Sequence, residues 1–481
     1  MYRQKVKRRS QLLWFLGMVS VAINVGCGTS LDVVRPVVPI NIVEDSAPWP
    51  DFIELGDIAM LEDAERAIPA SRQGEFLLTV LGDDRFPVED VEVEWTQLSH
   101  QFAFGVSGAS DPQVSGDLLR AGVNRGELNL AWNTVADAEG SLDVFASAAR
   151  RGSHMLHHMG MQMVAGETLL ASANTLPSSI TDLSPSAFLV AAQRQIRTLA
   201  SALKGNIALW EAVSQANISA GGQLEEPDMV VLLAQRVIDI LHEVDPSVPV
   251  AVSFETPMEE KESIDPIALL TRLDAADIAY DRIGLRILEN GYNVDGQLQP
   301  RRSLVNLSAH LDSFKRFQRP IDILGFAVPG ASNASAPDIV GHWGRHWSPE
   351  LQAVYLRAAL TLAFSKPHVV GMTWSGALDA DSSVPAGGLF SAPNVPKPSY
   401  HALAECISRW TTSGAGEVNS EGQLRFRGYG GVYRLTVRDP LTGRAVVQTV
   451  RLRERELRSH TIRLPRELTH RAADGPQGTA R

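Results

Sequence analysis

Five glutamates stand in or just beyond β-rich runs of this chain: Glu127 in GELNLAW, Glu167 in MQMVAGETLL, Glu211 in NIALWEAV, Glu255 after VPVAVSF and Glu289 after DRIGLRIL. Two carboxyl groups brought together can divide the roles of proton donor and of base or nucleophile when their surroundings set them apart. Glu211 and Gln215 are four residues apart, so they share one side of an ideal strand, with Glu211 the deeper. The structural reading is that Glu167, Glu211, Glu255 and Glu289 pair with Arg286 or with solvent. His154, His157 and His158 recur at helical spacing, which permits metal binding, yet no convincing carboxylate accompanies them. No metal or other cofactor is expected. Of two cysteines, Cys27 and Cys406, the second sits in the apolar helical pattern YHALAECISRW, where it reads as a buried thiol.

The elements that must position these groups come in alternation. Short β-branched or apolar runs (QFAFGVS, GELNLAW, MQMVAGETLL, NIALWEAV, VPVAVSF, DRIGLRIL, IDILGFAV, HVVGMTW) are separated by longer stretches, most of them with helical periodicity, such as MVVLLAQRVIDILHEV. Eight strands alternating with helices predict parallel pairing and right-handed crossovers, most economically an α/β fold of the closed (β/α)₈ barrel type. An open doubly wound sheet is the alternative, but no Gly-rich phosphate turn follows the first strand. In a barrel, chemistry sits at the carboxyl ends of the strands, and the outer helices that would carry the histidine triplet face away from it.

Those strand ends carry a resemblance. From about Gly74 to Trp410 the chain resembles glycoside hydrolase family 10, the endo-β-1,4-xylanases. HQFAFG is similar to the family's first strand, ELNLAW to Glu-Asn-x-x-Lys-Trp, VAGETLLASANTLP to its third-strand motif and WEAVSQA to Trp-Asp-Val-Val-Asn-Glu-Ala. VGMTWSGALD resembles the eighth strand, and GLFSAPNVPKPSYHAL the closing Lys-Pro-x-Tyr-x-Ala-Leu. The resemblance implies retaining hydrolysis by two carboxyl groups about 5 Å apart, one protonating the leaving oxygen and one attacking the sugar. Yet the acid/base position falls on Gln215, with Ser214 before it, and the nucleophile position, by hydrophobic register, on Gly325. An amide accepts and donates hydrogen bonds but delivers no proton near neutral pH.

The positions that grip sugar in the family are altered too: Glu167 replaces a histidine, Leu128 and Ala131 replace Asn and Lys, Ser253-Phe254-Glu255 replace Asn-Asp-Tyr, and Arg286 and Leu288 replace Gln and His. Glu127, Trp132, Trp210, Trp374 and, after one inserted residue, Asp379 persist. The resemblance therefore implies a catalytically degenerate barrel that binds a β-glycan such as xylan, with Glu127, Trp132, Glu167, Ser214, Gln215, Arg286, Trp374 and Asp379 as its ligand-binding candidates. Trp132 and Trp210 read as core, and Trp374 as a stacking contact. Trp343 and Trp347, in the long loop after the seventh strand, are further stacking candidates. A rebuilt hydrolase would use Glu167 and Glu255. A structural envelope protein, using the barrel only as a scaffold, is the third reading.

The 481-residue chain carries a net charge of −11 with few basic clusters outside its two ends, which argues against a nucleic-acid partner. MYRQKVKRRS followed by QLLWFLGMVSVAINVGC reads as an export signal, its apolar run being shorter than a membrane span, and Asn24–Cys27 resembles a bacterial lipobox with Cys27 as the lipidated residue. The expected organisation is a signal at 1–27, a Pro-rich tether at 28–52, a small β element at 53–100, the barrel at 101–412, a C-terminal β-rich module at 413–465 and a disordered tail at 466–481. The expected state is a monomer held at the bacterial cell envelope by its lipid.

Overall fold

The computed structural model describes residues 48–464, except 83, 110, 132–141, 159, 168–182, 217–226, 257–263, 289–291, 295–296, 300–302, 333–340 and 440–444. It opens with helix α1 (Leu55–Arg72) and strands β1 (Gln73–Leu81) and β2 (Glu92–His100), and then enters the expected alternation. The sequence is β3 (Ala103–Val106), α2 (Pro112–Arg120), β4 (Arg125–Asn129), α3 (Leu142–His158), β5 (Gln162–Gly166), α4 (Pro185–Leu203), β6 (Leu209–Val213), α5 (Pro227–Val244), β7 (Val250–Thr256), α6 (Pro266–Ala275) and β8 (Arg282–Leu288). A small hairpin, β9 (Tyr292–Val294) and β10 (Gln297–Gln299), precedes α7 (Leu304–Ser313), β11 (Ile321–Ala327), α8 (Pro349–Ser365) and β12 (Val369–Trp374). A second short hairpin, β13 (Phe390–Ala392) and β14 (Val395–Pro396), leads to α9 (Pro398–Arg409).

Strands β3 to β8, β11 and β12 close into an eight-stranded parallel barrel, β11 pairing with both β12 and β8. The eight runs read as strands from the sequence are these eight. Side chains that point inward form layers, as barrel interiors of this kind do. At the amino-terminal end Asp322 accepts from both Arg125 Nη atoms (2.5 and 2.9 Å) and from Arg282 (2.8 Å). Gly371 leaves the room: a Cβ there would lie 2.8 Å from Arg125 Nη1. Val164, Leu209, Ala251 and Leu324 form an apolar middle layer. The third layer, at the carboxyl ends, is again ionic and is the candidate site.

The two β-rich regions outside the barrel differ from the expected pair of separate modules. Strands β15 (Ser413–Glu417), β16 (Gln423–Tyr429), β17 (Gly431–Arg438), β18 (Ala445–Leu452) and β19 (Leu457–Arg463) combine with the two strands from the start of the chain. One sheet runs β16-β1-β19 and the other β15-β2-β17-β18. They bury one common core, including Phe76, Leu78, Val80, Val93, Phe426, Leu435, Val437 and Ile462. The first region is also not all β: residues 55–72 are helical, with Leu61, Ala64 and Ile68 spaced three and four apart on the buried face. Arg72, 1% exposed, ties this helix to the barrel. It donates to the carbonyls of Ala363, Phe364, Lys366 and Val369 and to Glu454, and so satisfies acceptors at the end of α8. Cys406 is buried in α9, and burial pushes its thiol up to about 12.

Candidate functional site

The carboxyl-end layer is organised by Arg286 on β8. Its Nε and Nη2 donate to the two oxygens of Glu211 (2.9 and 2.6 Å), the same Nη2 donates to Glu127 Oε1 (2.7 Å), and Nη1 lies 3.5 Å from Glu167 Oε1. Glu255 stands directly beside Arg286 in the register of β7 and β8. Four carboxyl groups from four neighbouring strands thus converge on one guanidinium. Burial opposes its charge, but the carboxylates raise its pKa well above the ordinary value.

The four acids differ in how well they are served. Glu211, fully buried, also accepts from Ser214 Oγ (2.9 Å), Ser253 Oγ (2.5 Å) and the Glu167 backbone N–H (2.8 Å). Burial works against its ionisation, yet Arg286 and these donors hold it below the usual carboxylate range. Glu127 is pushed up to about 7 by burial and by the charges of Glu211 and Glu167, against the pull of Arg286. Glu167 and Glu255 are also raised, chiefly by burial. Glu167 remains 22% exposed and accepts from Asn129 Nδ2 (3.1 Å).

Two glycines make this layer possible. A Cβ on Gly166 would fall 2.0 Å from Glu127 Oε1, and one on Gly325 would fall 2.9 Å from Ser375 Oγ and 3.3 Å from both Cγ and Nη1 of Arg286. Arg286 therefore fills the space beside the position that the sequence resemblance assigns to a nucleophile. At the ends of adjacent strands, Glu167 and Gln215 both have φ of +51°, a left-handed conformation that costs a non-glycine residue on the order of 1 kcal/mol. Gln215 is half-buried, and its backbone N–H donates to Ser253 Oγ (3.3 Å).

Ser214 is buried and engaged with Glu211. Trp374 is not the open stacking face expected of it: it is 2% exposed, packs against Phe326 at 5.9 Å between ring centroids, and donates its indole N–H to the Gly387 carbonyl (2.9 Å). Asp379 braces the following loop, accepting from Gly388 N–H (2.8 Å) and Lys397 Nζ (2.9 Å). Trp347 is buried against Tyr355, and Trp343 donates to Asp57 and packs on Phe52, so neither offers an open stacking face. Trp210 is fully buried core. Trp132, Glu289 and Cys27 lie outside the described residues. His154 and His157 are exposed on α3, and among the described residues no group of three or more His, Cys, Asp or Glu side chains could hold a metal ion. The accessible polar groups at the described strand ends include an arc of Asn129, Glu167, Gln215 and Glu255.

Sequence reasoning named Arg286, the acids, Ser214 and Ser253, but not that the two serines donate to Glu211 and so set it apart. Asn129, Ser375 and Gly166 carry no motif of their own; for Gly166 the available signal was a glycine on one strand where its neighbour carries a charged side chain.

No protein-family model matches the chain, and no curated protein does. Solved structures similar to it include native xylanase 10B from Thermotoga maritima, at 18% identity and a TM-score of 0.47, covering 64% of this chain and 96% of that one. Xylanase 10B from Thermotoga petrophila in complex with xylobiose shows 17% identity and a TM-score of 0.47, covering 64% and 95%. A thermostable mutant of a xylanase from Cellvibrio japonicus shows 16% and 0.49, covering 64% and 98%.

Proposed function

We propose that this chain is an exported xylanase-like barrel protein that binds a β-glycan without hydrolysing it. One observation carries the reading: where the sequence resemblance places a proton donor and a nucleophile stand Gln215 and Gly325, and Arg286 takes up the space beside Gly325. An amide and a hydrogen supply neither role. The ordered run of family-like motifs supports a glycan as the ligand, and the arc of Asn129, Glu167, Gln215 and Glu255 supplies hydrogen-bonding groups for sugar hydroxyls. The basic-apolar start and the lipobox-like Asn24–Cys27 support export and anchoring through a lipid on Cys27.

The test is a long incubation of residues 28–481, which keeps Trp49 stacked under Arg357, with xylohexaose, followed by mass spectrometry of the products and calorimetry of binding. Binding with intact xylohexaose is the expected outcome. Turnover in proportion to protein would overturn it and favour a second reading, a hydrolase using Glu167 and Glu255, whose partial exposure and raised pKa values suit proton donation. That reading requires Glu167→Gln or Glu255→Gln to abolish the turnover.

A further inference from the structure

The ionic layer at the barrel mouth has a charge imbalance that its hydrogen bonds distribute unevenly. Glu211 receives five donors, two of them from Arg286. Glu127, 8% exposed, receives Arg286 Nη2 alone among the described residues, and that nitrogen also serves Glu211. The charged groups around Glu127 are Glu167 from β5, Glu211 from β6 and Arg286 from β8, with Glu255 of β7 facing Arg286 and Glu167. Gly325 of β11 and Ser375, just past β12, lie on the other side of Arg286 and bring no charge, and just past β3 stands the uncharged Ser107. Below lies the apolar layer, which separates the cluster from Arg125, Asp322 and Arg282. One guanidinium therefore serves three acids in direct contact, Glu127 and Glu211 buried and Glu167 partly exposed, and the buried acid with fewer donors is the one that gains more by keeping a proton.

We infer that the Arg286 cluster is a proton-dependent clasp: loss of one proton from Glu127 draws Arg286 Nη2 away from Glu211 and loosens the corner at Glu167, whose backbone N–H Glu211 holds. Glu127 lies against that corner already, with Gly166 between it and Glu167 and no Cβ to keep them apart. The left-handed backbone of Glu167 is retained by its bond to Glu211, so a weaker Glu211 releases strain where the accessible arc begins. The titration of Glu127 near pH 7 puts the change within the range a cell envelope meets. The clasp does not depend on what the mouth binds.

Two measurements test it. In the first, unfolding of residues 28–481 is followed from pH 5 to pH 8.5 for the wild type and Glu127→Gln. The unfolding equilibrium of the wild type is expected to rise relative to that of Glu127→Gln by on the order of 10²-fold between pH 5 and 8, the effect of a carboxyl moved from 4.5 to about 7. Parallel profiles for these two proteins would overturn the inference. The second needs no variant: hydrogen exchange of the 161–167 segment in the wild type, corrected for the intrinsic rate, is expected to show roughly tenfold lower protection at pH 8 than at pH 6. Equal protection at both pH values would refute the clasp even if Glu127→Gln does not fold.

Discussion

Replacing Arg286 by methionine removes the one cation among the described residues of the barrel-mouth layer while keeping its stem volume. Glu211, fully buried, loses two donors, Glu127 loses its only described donor, and Glu167 loses the charge 3.5 Å away. Breaking one buried pair by deleting a partner costs about 3–5 kcal/mol, because a charge is left in a medium that solvates it poorly. Three acids share this loss, but they relieve it by taking up protons, so the cost is set mainly by Glu211, whose remaining donors from Ser214, Ser253 and Glu167 offset part of it. The expected destabilisation is about 3–5 kcal/mol at pH 8. At pH 5 it falls to about half, since carboxyl groups relieved of Arg286 protonate well above their ordinary range. Urea titrations of wild type and Arg286→Met at both pH values measure this. A loss below about 1 kcal/mol at pH 8, or one that does not depend on pH, would refute the view that Arg286 neutralises this layer.

Arg72→Ala is expected to lower stability by several kcal/mol, since it strands Glu454 and four carbonyls at the end of α8 and the start of β12; calorimetric melting is the check, with Arg72→Lys recovering only part of the loss. His100 contributes to the acid limb of the pH profile, alongside His368 and the buried carboxylates Glu211 and Asp322, all of them shifted downward in the fold. Burial lowers its pKa to about 3, so it stays neutral in the fold while an unfolded histidine protonates near 6.5. The fold binds fewer protons between those values, and the stability contributed is complete above about 6.5 and lost as pH falls towards 3. Melting curves of His100→Gln should therefore be flatter between pH 4 and 6.5 than those of the wild type, and an unchanged slope would count against this assignment.

The barrel was legible because its signal is local. Eight short apolar runs at regular intervals, with amphipathic helices such as residues 227–244 between most of them, leave few ways to bury every strand, and the closed parallel sheet follows. The β-sandwich was not: β1 pairs with β16 and β19 across hundreds of residues, and an alternating strand does not say which partner completes its core. Trp374 shows the same limit within the site. Its place at the end of the eighth strand could be read, but whether its ring faced a ligand or Phe326 depended on packing between elements. By itself the sequence determined which residue types stand at the strand ends, among them an amide at Gln215 and no side chain at Gly325. Only the tertiary structure decided that Glu127, Glu167 and Glu211 share one guanidinium, because charge, burial and hydrogen bonds are properties of strands meeting around an axis, and each strand contributes one member.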